Sequence, residues 1–345
     1  MELEEYDVMR LAIDVMGGDN APEAVMSGVS GALKLVGEDA HFLLFGDEKL
    51  IKDSIRELNI DSARCSVFAT TELIECDEAP VMAIRRKKDS SIVRAIKAVA
   101  DGDADCVLSA GSSGALLAGA TLIIKRQRGV KRPALAPLLP TSTGGRVLLI
   151  DCGANTDCKP GYLLQFALMG TEYMRGVLGV DNPRVGLLNN GAEAEKGNEL
   201  TKATYPRLSA LNGVNFIGNV EARDVLTGCC DVVVCDGFDG NILLKASEGM
   251  ASAMNKLLKT ELLSGFFTKI GALLAKPAFV RVKKRMDYTE HGGAPLLGVN
   301  GGVIKAHGSS DAKAIMNAIL QAERLIKSNV VEIIGKTVSD ALIED

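Results

Sequence analysis

The sequence predicts an α/β protein built on a mainly parallel sheet, and three observations carry that prediction. Short apolar runs alternate with longer helical patterns, most runs end in a small polar loop, and the 36 glycines follow no collagen-like period but cluster at those run-to-helix junctions. A length of 345 residues with 47% hydrophobic content suffices for a large core, read here as two intertwined subdomains of one unit spanning residues 1–345.

The runs read as strands are residues 11–15, 42–45, 106–108, 147–150, 185–188, 232–235 and 303–305. In open parallel sheets ligands bind beyond the carboxyl ends of the strands. The segments just after the runs therefore hold the candidate chemistry: residues 16–20, 109–114, 151–155, 189–191, 236–241 and 306–311.

In the first of these loops Asn20 is a candidate helix cap, with Pro22 in the first turn and Glu23 three residues after the cap. Gly17, Gly18 and Asp19 suit a tight turn or a binding site equally. In the second, Gly111, Ser112, Ser113 and Gly114 lie between a buried strand and a helix expected over residues 115–124. Such a helix start offers unpaired N–H groups and a positive dipole end, which suit phosphate. Neither a P-loop nor a dinucleotide fingerprint is present.

The most informative stretch is GVNGGVIKAHGSSDAKA at residues 298–314. A strand ends at Lys305, and His307, Ser309, Ser310 and Asp311 follow at the start of a helix expected over residues 314–326. The last three can simply cap that helix. A cation and an imidazole flanking one residue at a strand end point instead to anion binding and proton transfer. The chain has only three histidines, His41, His291 and His307, and no G-x-S-x-G elbow, which favours direct attack by a bound anion over an acyl-serine.

Composition narrows the classes further. A net charge of −5 argues against nucleic-acid binding. The eight cysteines contain no C-x-x-C pair and read as reduced cytosolic thiols, with no metal site expected. No signal peptide and no spanning helix are expected. The basic run Arg85-Arg86-Lys87-Lys88, read as entering a helix, is either a solvated face or counter-charge for an anion site. Residues 250–285 have helical apolar spacing with a break near Ser264-Gly265. They form either a stripe facing the core or a projecting amphipathic segment whose Leu262, Phe266, Phe267 and Ile270 meet a dimer partner or anionic lipid, helped by Arg281, Lys283, Lys284 and Arg285.

Several long motifs, in order, resemble the bacterial phosphate acyltransferase family PlsX. They are LAIDVMGGDNAPE at residues 11–23, SAGSSGALLAGA at 109–120, DCGANTDCKP at 151–160, KGNELTK at 196–202, DVVVCDGFDGNILLKASEG at 231–249 and GGAPLLGVNGGVIKAHGSSDAKA at 292–314. The resemblance implies a three-layer fold similar to the isocitrate and isopropylmalate dehydrogenases and to phosphotransacetylase. It implies transfer of a long-chain fatty acyl group from acyl carrier protein to inorganic phosphate, giving acyl phosphate for phospholipid synthesis. The enzyme so implied is a cytoplasmic homodimer, peripherally bound to the inner face of the cell membrane, and its reaction requires no metal or redox cofactor. In that reaction residues 111–114 and Lys305 would hold phosphate, joined by Gly17, Gly18, Asp19, Asn155 and Ser310. Asn241 or Ser309 would donate to the oxyanion, His307 would orient phosphate or protonate the departing thiol, and Asp311 would position its neighbours. The chain departs from the family pattern at Ser112-Ser113, where Asn-Thr is common, at Asp239, where an apolar residue is common, and at His291, where Tyr or Phe is common.

Two rival readings come from other classes. The implied fold alone suggests a nicotinamide-dependent decarboxylating dehydrogenase, but fold analogy is weak support and the metal-binding aspartates and arginine cluster of such enzymes are not found. The amphipathic segment alone suggests a membrane-surface scaffold.

Overall fold

The computed structural model describes residues 8–286 and 292–343; residues 1–7, His291 and the side chains of Lys283 and Lys284 lie outside that description. The strands are β1 (Arg10–Asp14), β2 (His41–Gly46), β3 (Cys65–Ala69), β4 (Cys106–Ser109), β5 (Ala134–Leu135), β6 (Leu138–Pro140), β7 (Arg146–Ile150), β8 (Arg184–Asn189), β9 (Asn215–Glu221), β10 (Val232–Val234), β11 (Ala294–Leu297) and β12 (Gly302–Lys305). The helices are α1 (Glu23–Ala32), α2 (Glu48–Glu57), α3 (Pro80–Arg86), α4 (Ser91–Ala100), α5 (Ser113–Gly119), α6 (Pro160–Leu178), α7 (Glu199–Ser209), α8 (Ala222–Val225), α9 (Gly237–Leu262), α10 (Phe266–Met286), α11 (Ala312–Lys327) and α12 (Val330–Asp340).

All seven expected strands are present, each within one residue of its expected ends. They belong to two sheets of order β3-β2-β1-β4-β12-β11-β5 and β6-β7-β10-β8-β9. Pairing is parallel throughout except at β11 and β5 in the first sheet and β6 in the second. The chain builds most of the first sheet, crosses through β5 and β6 into the second, and returns to the first with β11 and β12. This path makes the two halves intertwined.

Strand residues alternate between two cores, as a pleated strand covered on both faces requires. Leu11, Ile13, Phe42, Leu44 and Leu108 join a central core that also holds Leu148, Ile150, Val232 and Val234 of the second sheet. Ala12, Leu43, Phe45 and Val107 face the opposite core with α4. Within the central core α1 lies so close to α11 that a Cβ built on Gly28 would sit 2.6 Å from Ile315 Cβ.

Three local expectations change. Asn20 does not cap α1 with its side chain; the cap position is Pro22, and Asn20 Nδ2 donates instead to the carbonyls of Ser309 and Ser310, each at 3.2 Å. The helix expected over 115–124 starts at Ser113 and gives way to a π-helical turn at Ala120–Ile124. The basic run closes α3 before it leads through Asp89 and Ser90 into α4, and Lys87 is taken up by Glu78 at 2.6 Å.

The break near Ser264-Gly265 is present, between α9 and α10. The apolar stripe on these helices does not face the core of this chain. Phe266 is 73% exposed and Phe267 85%, with Ile270 also exposed and Leu262 half-buried. No helix among the described residues is long and apolar enough to cross a membrane.

The α1–α11 contact predicts that Gly28→Val lowers the urea midpoint, at a cost of about 1–3 kcal/mol from overpacking. An unchanged midpoint in chemical denaturation would show that the two helices are not in such close contact.

Candidate active site

Two buried carboxylates organise the strand-end loops. Asp14, at the end of β1, accepts a hydrogen bond from Ser109 Oγ at 2.7 Å, and that same Oγ accepts from the N–H of Gly111 at 3.0 Å. Burial raises the pKa of Asp14, against the hydrogen bond from Ser109 that lowers it. Gly17 is squeezed into this arrangement, since a Cβ there would lie 2.4 Å from Asp14 Oδ2 and 2.7 Å from the Gly111 nitrogen. The N–H of Asp19 donates to the carbonyl of Gly308 at 2.8 Å, which ties the first loop to the last.

Asp151, just after β7, plays the same part in the second sheet. It is fully buried and accepts from the N–H groups of Leu135 at 2.8 Å, Cys152 at 2.6 Å and Asn155 at 2.7 Å, and from Asn155 Nδ2 at 3.0 Å. The helix α9 starts against this loop: Gly237 N–H donates to Asn155 O at 2.7 Å, and a Cβ on Gly240 would meet Asp151 O at 2.0 Å.

Between the two sets of loops lies a cavity of about 320 Å³ whose lining includes Ser113, Asn241, Lys305 and His307. Residues from both sheets thus converge on one space. A larger cavity of about 520 Å³ runs along β2 and β3 beside α4, lined by residues such as Arg10, His41, Phe45 and Phe68, and none of the loops singled out above lines it.

Lys305 is buried, and its ammonium donates to the carbonyls of Ala110 (3.2 Å) and Ala306. Burial lowers its pKa to about 8, with Asp14 and Asp19 among the groups opposing the shift. His307 accepts at Nδ1 from the N–H of Ser309 at 3.2 Å, and Ser309 Oγ lies 2.8 Å from the same nitrogen. An accepting Nδ1 leaves the proton of the neutral ring on Nε2. Burial lowers the His307 pKa, and the cation of Lys245 adds to that effect, so the neutral ring is favoured.

Sequence reasoning missed part of the lining. Helix α9 presents Asn241, Leu244, Lys245 and Glu248 on one face, with Lys245 Nζ 2.8 Å from Glu248 Oε2. Their spacing is helical, and the signal was available once Asn241 was singled out. The apolar wall comes from Leu117 of α5 and from Leu135, Pro137, Leu138 and Leu139 of the β5–β6 crossing. Cys152 also lines the cavity, but burial pushes its thiol up to about 12, which makes it a poor nucleophile.

Other expected site residues are spent locally. Ser112 caps α5 by accepting from Ala115 N–H, Asp311 caps α11 by accepting from Ala314 N–H, and Asn155 serves Asp151 and the carbonyl of Pro133. Gly111 donates to Ser109, Gly114 packs against Pro80, and Gly18 packs against Ala110 and Gly308. Ser310 is buried with its N–H on the carbonyl of His307. Asp19 and Asp239 are exposed and absent from the lining, and neither the 84–91 run nor the 189–191 loop contributes to it.

For Lys305 the folded state releases its proton near pH 8, whereas the unfolded lysine holds it to the ordinary value of 10.5. Between those limits the unfolded chain binds more protons, so stability rises with pH by about 1 kcal/mol per unit from this group. The stability of the wild type relative to Lys305→Met should therefore improve as pH rises from about 8 towards 10. A pH-independent difference in denaturation midpoints would contradict this.

Known proteins resemble this chain in sequence and in fold. Residues 9–333 match the family described as "Fatty acid synthesis protein". A phosphate acyltransferase of Clostridium perfringens is 49% identical over 323 residues, covering 94% of this chain and 95% of the relative. Another, from Alkaliphilus oremlandii, is 50% identical over 331 residues, covering 96% of this chain and 98% of the relative. Among solved structures, the EutD phosphotransacetylase from Staphylococcus aureus aligns with a TM-score of 0.61 at 15% identity, covering 93% of this chain and 94% of that one. A branched-chain phosphotransacylase from Enterococcus faecalis aligns with a TM-score of 0.57 at 15% identity, over 92% and 99% of the two chains. These structures share the fold, while the sequence relatives settle the class. The chain belongs to the phosphate acyltransferase family and is an acyltransferase of fatty acid and phospholipid synthesis.

Proposed function

We propose that this enzyme transfers a long-chain fatty acyl group from the thioester of acyl carrier protein to inorganic phosphate, releasing acyl phosphate for phospholipid synthesis. The observation that carries this reading is a single cavity with a basic, hydrogen-bonding end at Lys305 and His307 and an apolar wall at Leu117, Leu135, Pro137, Leu138 and Leu139. A dianion suits the first and an acyl chain the second.

Phosphate held beside Lys305 and Ser113 is aligned with the thioester carbonyl, and one of its oxygens attacks the carbonyl carbon. Asn241 donates to the oxyanion that develops. As the C–S bond breaks, the neutral His307 ring gives its Nε2 proton to the departing thiolate and takes up at the same nitrogen the proton that the phosphate releases. The Ser309 contacts hold that ring in place, so Ser309 acts through His307. The high thiol pKa of Cys152 supports direct attack over an acyl-enzyme.

The exposed apolar residues of α10 and its neighbour support a cytoplasmic enzyme resting on the inner face of an anionic membrane, as a homodimer.

Purified protein incubated with palmitoyl carrier protein and labelled phosphate should form an acid-labile acyl phosphate. His307→Ala should reduce turnover by about 10²–10⁴-fold without lowering the melting temperature, and near-normal turnover would remove His307 from the mechanism. In a separate measurement, Phe266→Asp with Phe267→Asp should abolish flotation with vesicles containing phosphatidylglycerol; unchanged flotation would return that surface to protein packing.

A further inference from the structure

Beside the cavity runs a second groove of about 350 Å³, and Leu117 lines both. The same segments continue from one to the other: Pro133 and Ala154 line the groove where Leu135 and Gly153 line the cavity. The groove has apolar walls at Leu122 and Leu296 and carries two arginines, Arg126 and Arg132.

Those arginines belong to a concentrated basic loop. Residues 125–132 hold five cations, Lys125, Arg126, Arg128, Lys131 and Arg132, and no carboxylate, in a chain whose net charge is −5. Its backbone is pinned from inside. The buried Gln165 accepts from Lys131 N–H at 2.9 Å and donates to Gly129 O at 2.9 Å. The buried Gln127 donates to Val331 O at 2.5 Å, and Asn300 Nδ2 donates to Arg126 O at 3.1 Å. The Arg126 guanidinium also donates within the loop, to the carbonyl of Lys131. Arg126 and Arg132 are exposed, and among the described residues neither has a carboxylate within ion-pair distance; Arg132 lies 5.8 Å from the Tyr162 ring centroid. A rigid backbone that presents unneutralised guanidinium groups loses little entropy on engaging an anionic partner.

We infer that the 125–132 loop is the docking surface for an acidic acyl-carrying protein, and that the adjoining groove leads its phosphate-bearing thioester arm past Leu117 into the cavity. This rests on the acyl transfer proposed above. The charge complementarity is to an acidic carrier, and the continuity with the cavity gives the arm a path that a lipid headgroup would not need.

The test is steady-state kinetics on the full chain with an acyl carrier protein thioester as donor. Arg126→Glu with Arg132→Glu should raise the KM for the carrier at least tenfold while the KM for phosphate rises less than twofold, and Arg126→Lys with Arg132→Lys should recover most of the carrier affinity. Raising the salt concentration should raise the wild-type KM for the carrier and have less effect on the Glu variant. A carrier KM within twofold of wild type overturns the inference, as does an equal rise for phosphate, or loss of binding to anionic vesicles with the carrier KM unchanged. Absence of acyl phosphate formation by the wild type overturns the proposed function itself, and this inference with it.

Discussion

A carboxylate buried at the end of a strand must be supplied with donors or lose its charge, and this protein places one at the end of each sheet. Asp14 draws in Ser109, and through it the N–H of Gly111; Asp151 draws in the N–H groups of Leu135, Cys152 and Asn155. The loops take their shapes from those obligations. Gly17 and Gly240 then bring backbone against the carboxylates at distances that a side chain would prevent. The groups proposed to act on phosphate, Lys305 and His307, stand on β12 and the loop after it, which packs beside this framework.

The crossing at β5 and β6 explains why the cavity is polar at one end and apolar at the other. Parallel strands deliver their loops at one edge, which is where the cation and imidazole collect. The crossing strands pass between the sheets instead of ending at that edge, so they bring leucines and a proline to the opposite wall. The burial that lowers the Lys305 pKa is part of the same arrangement, because a partly dehydrated ammonium is a strong attractor for a dianion.

The exposed helices have a different logic. Helix α9 begins in the site, with Asn241, Lys245 and Glu248 on the cavity, and its far end joins α10, where the exposed phenylalanines lie. One continuous helix therefore links the cavity to an exposed apolar surface. The rigidity of a helix gives that link physical content.

Seven strands were legible because strands buried on both faces are written as unbroken apolar runs, and the segments at their ends hold Lys305, His307, Ser113 and Asn241, which line one cavity from two sheets. The five strands not foreseen are short, antiparallel or at a sheet edge, such as β5, β6 and β11, where pairing partners rather than local pattern decide the conformation. Ser112, Asn155 and Asp311 have the right chemistry for a site but satisfy their own backbone, and a short polar side chain carries the same letters in either role. Lys245 and the apolar wall became visible only in three dimensions. Sequence alone determined the α/β class and the strand-end placement of Lys305 and His307, because these follow from local periodicity. Tertiary structure decided which loops meet, which donors remain available and which apolar face is left exposed, because those depend on contacts between residues far apart in the chain.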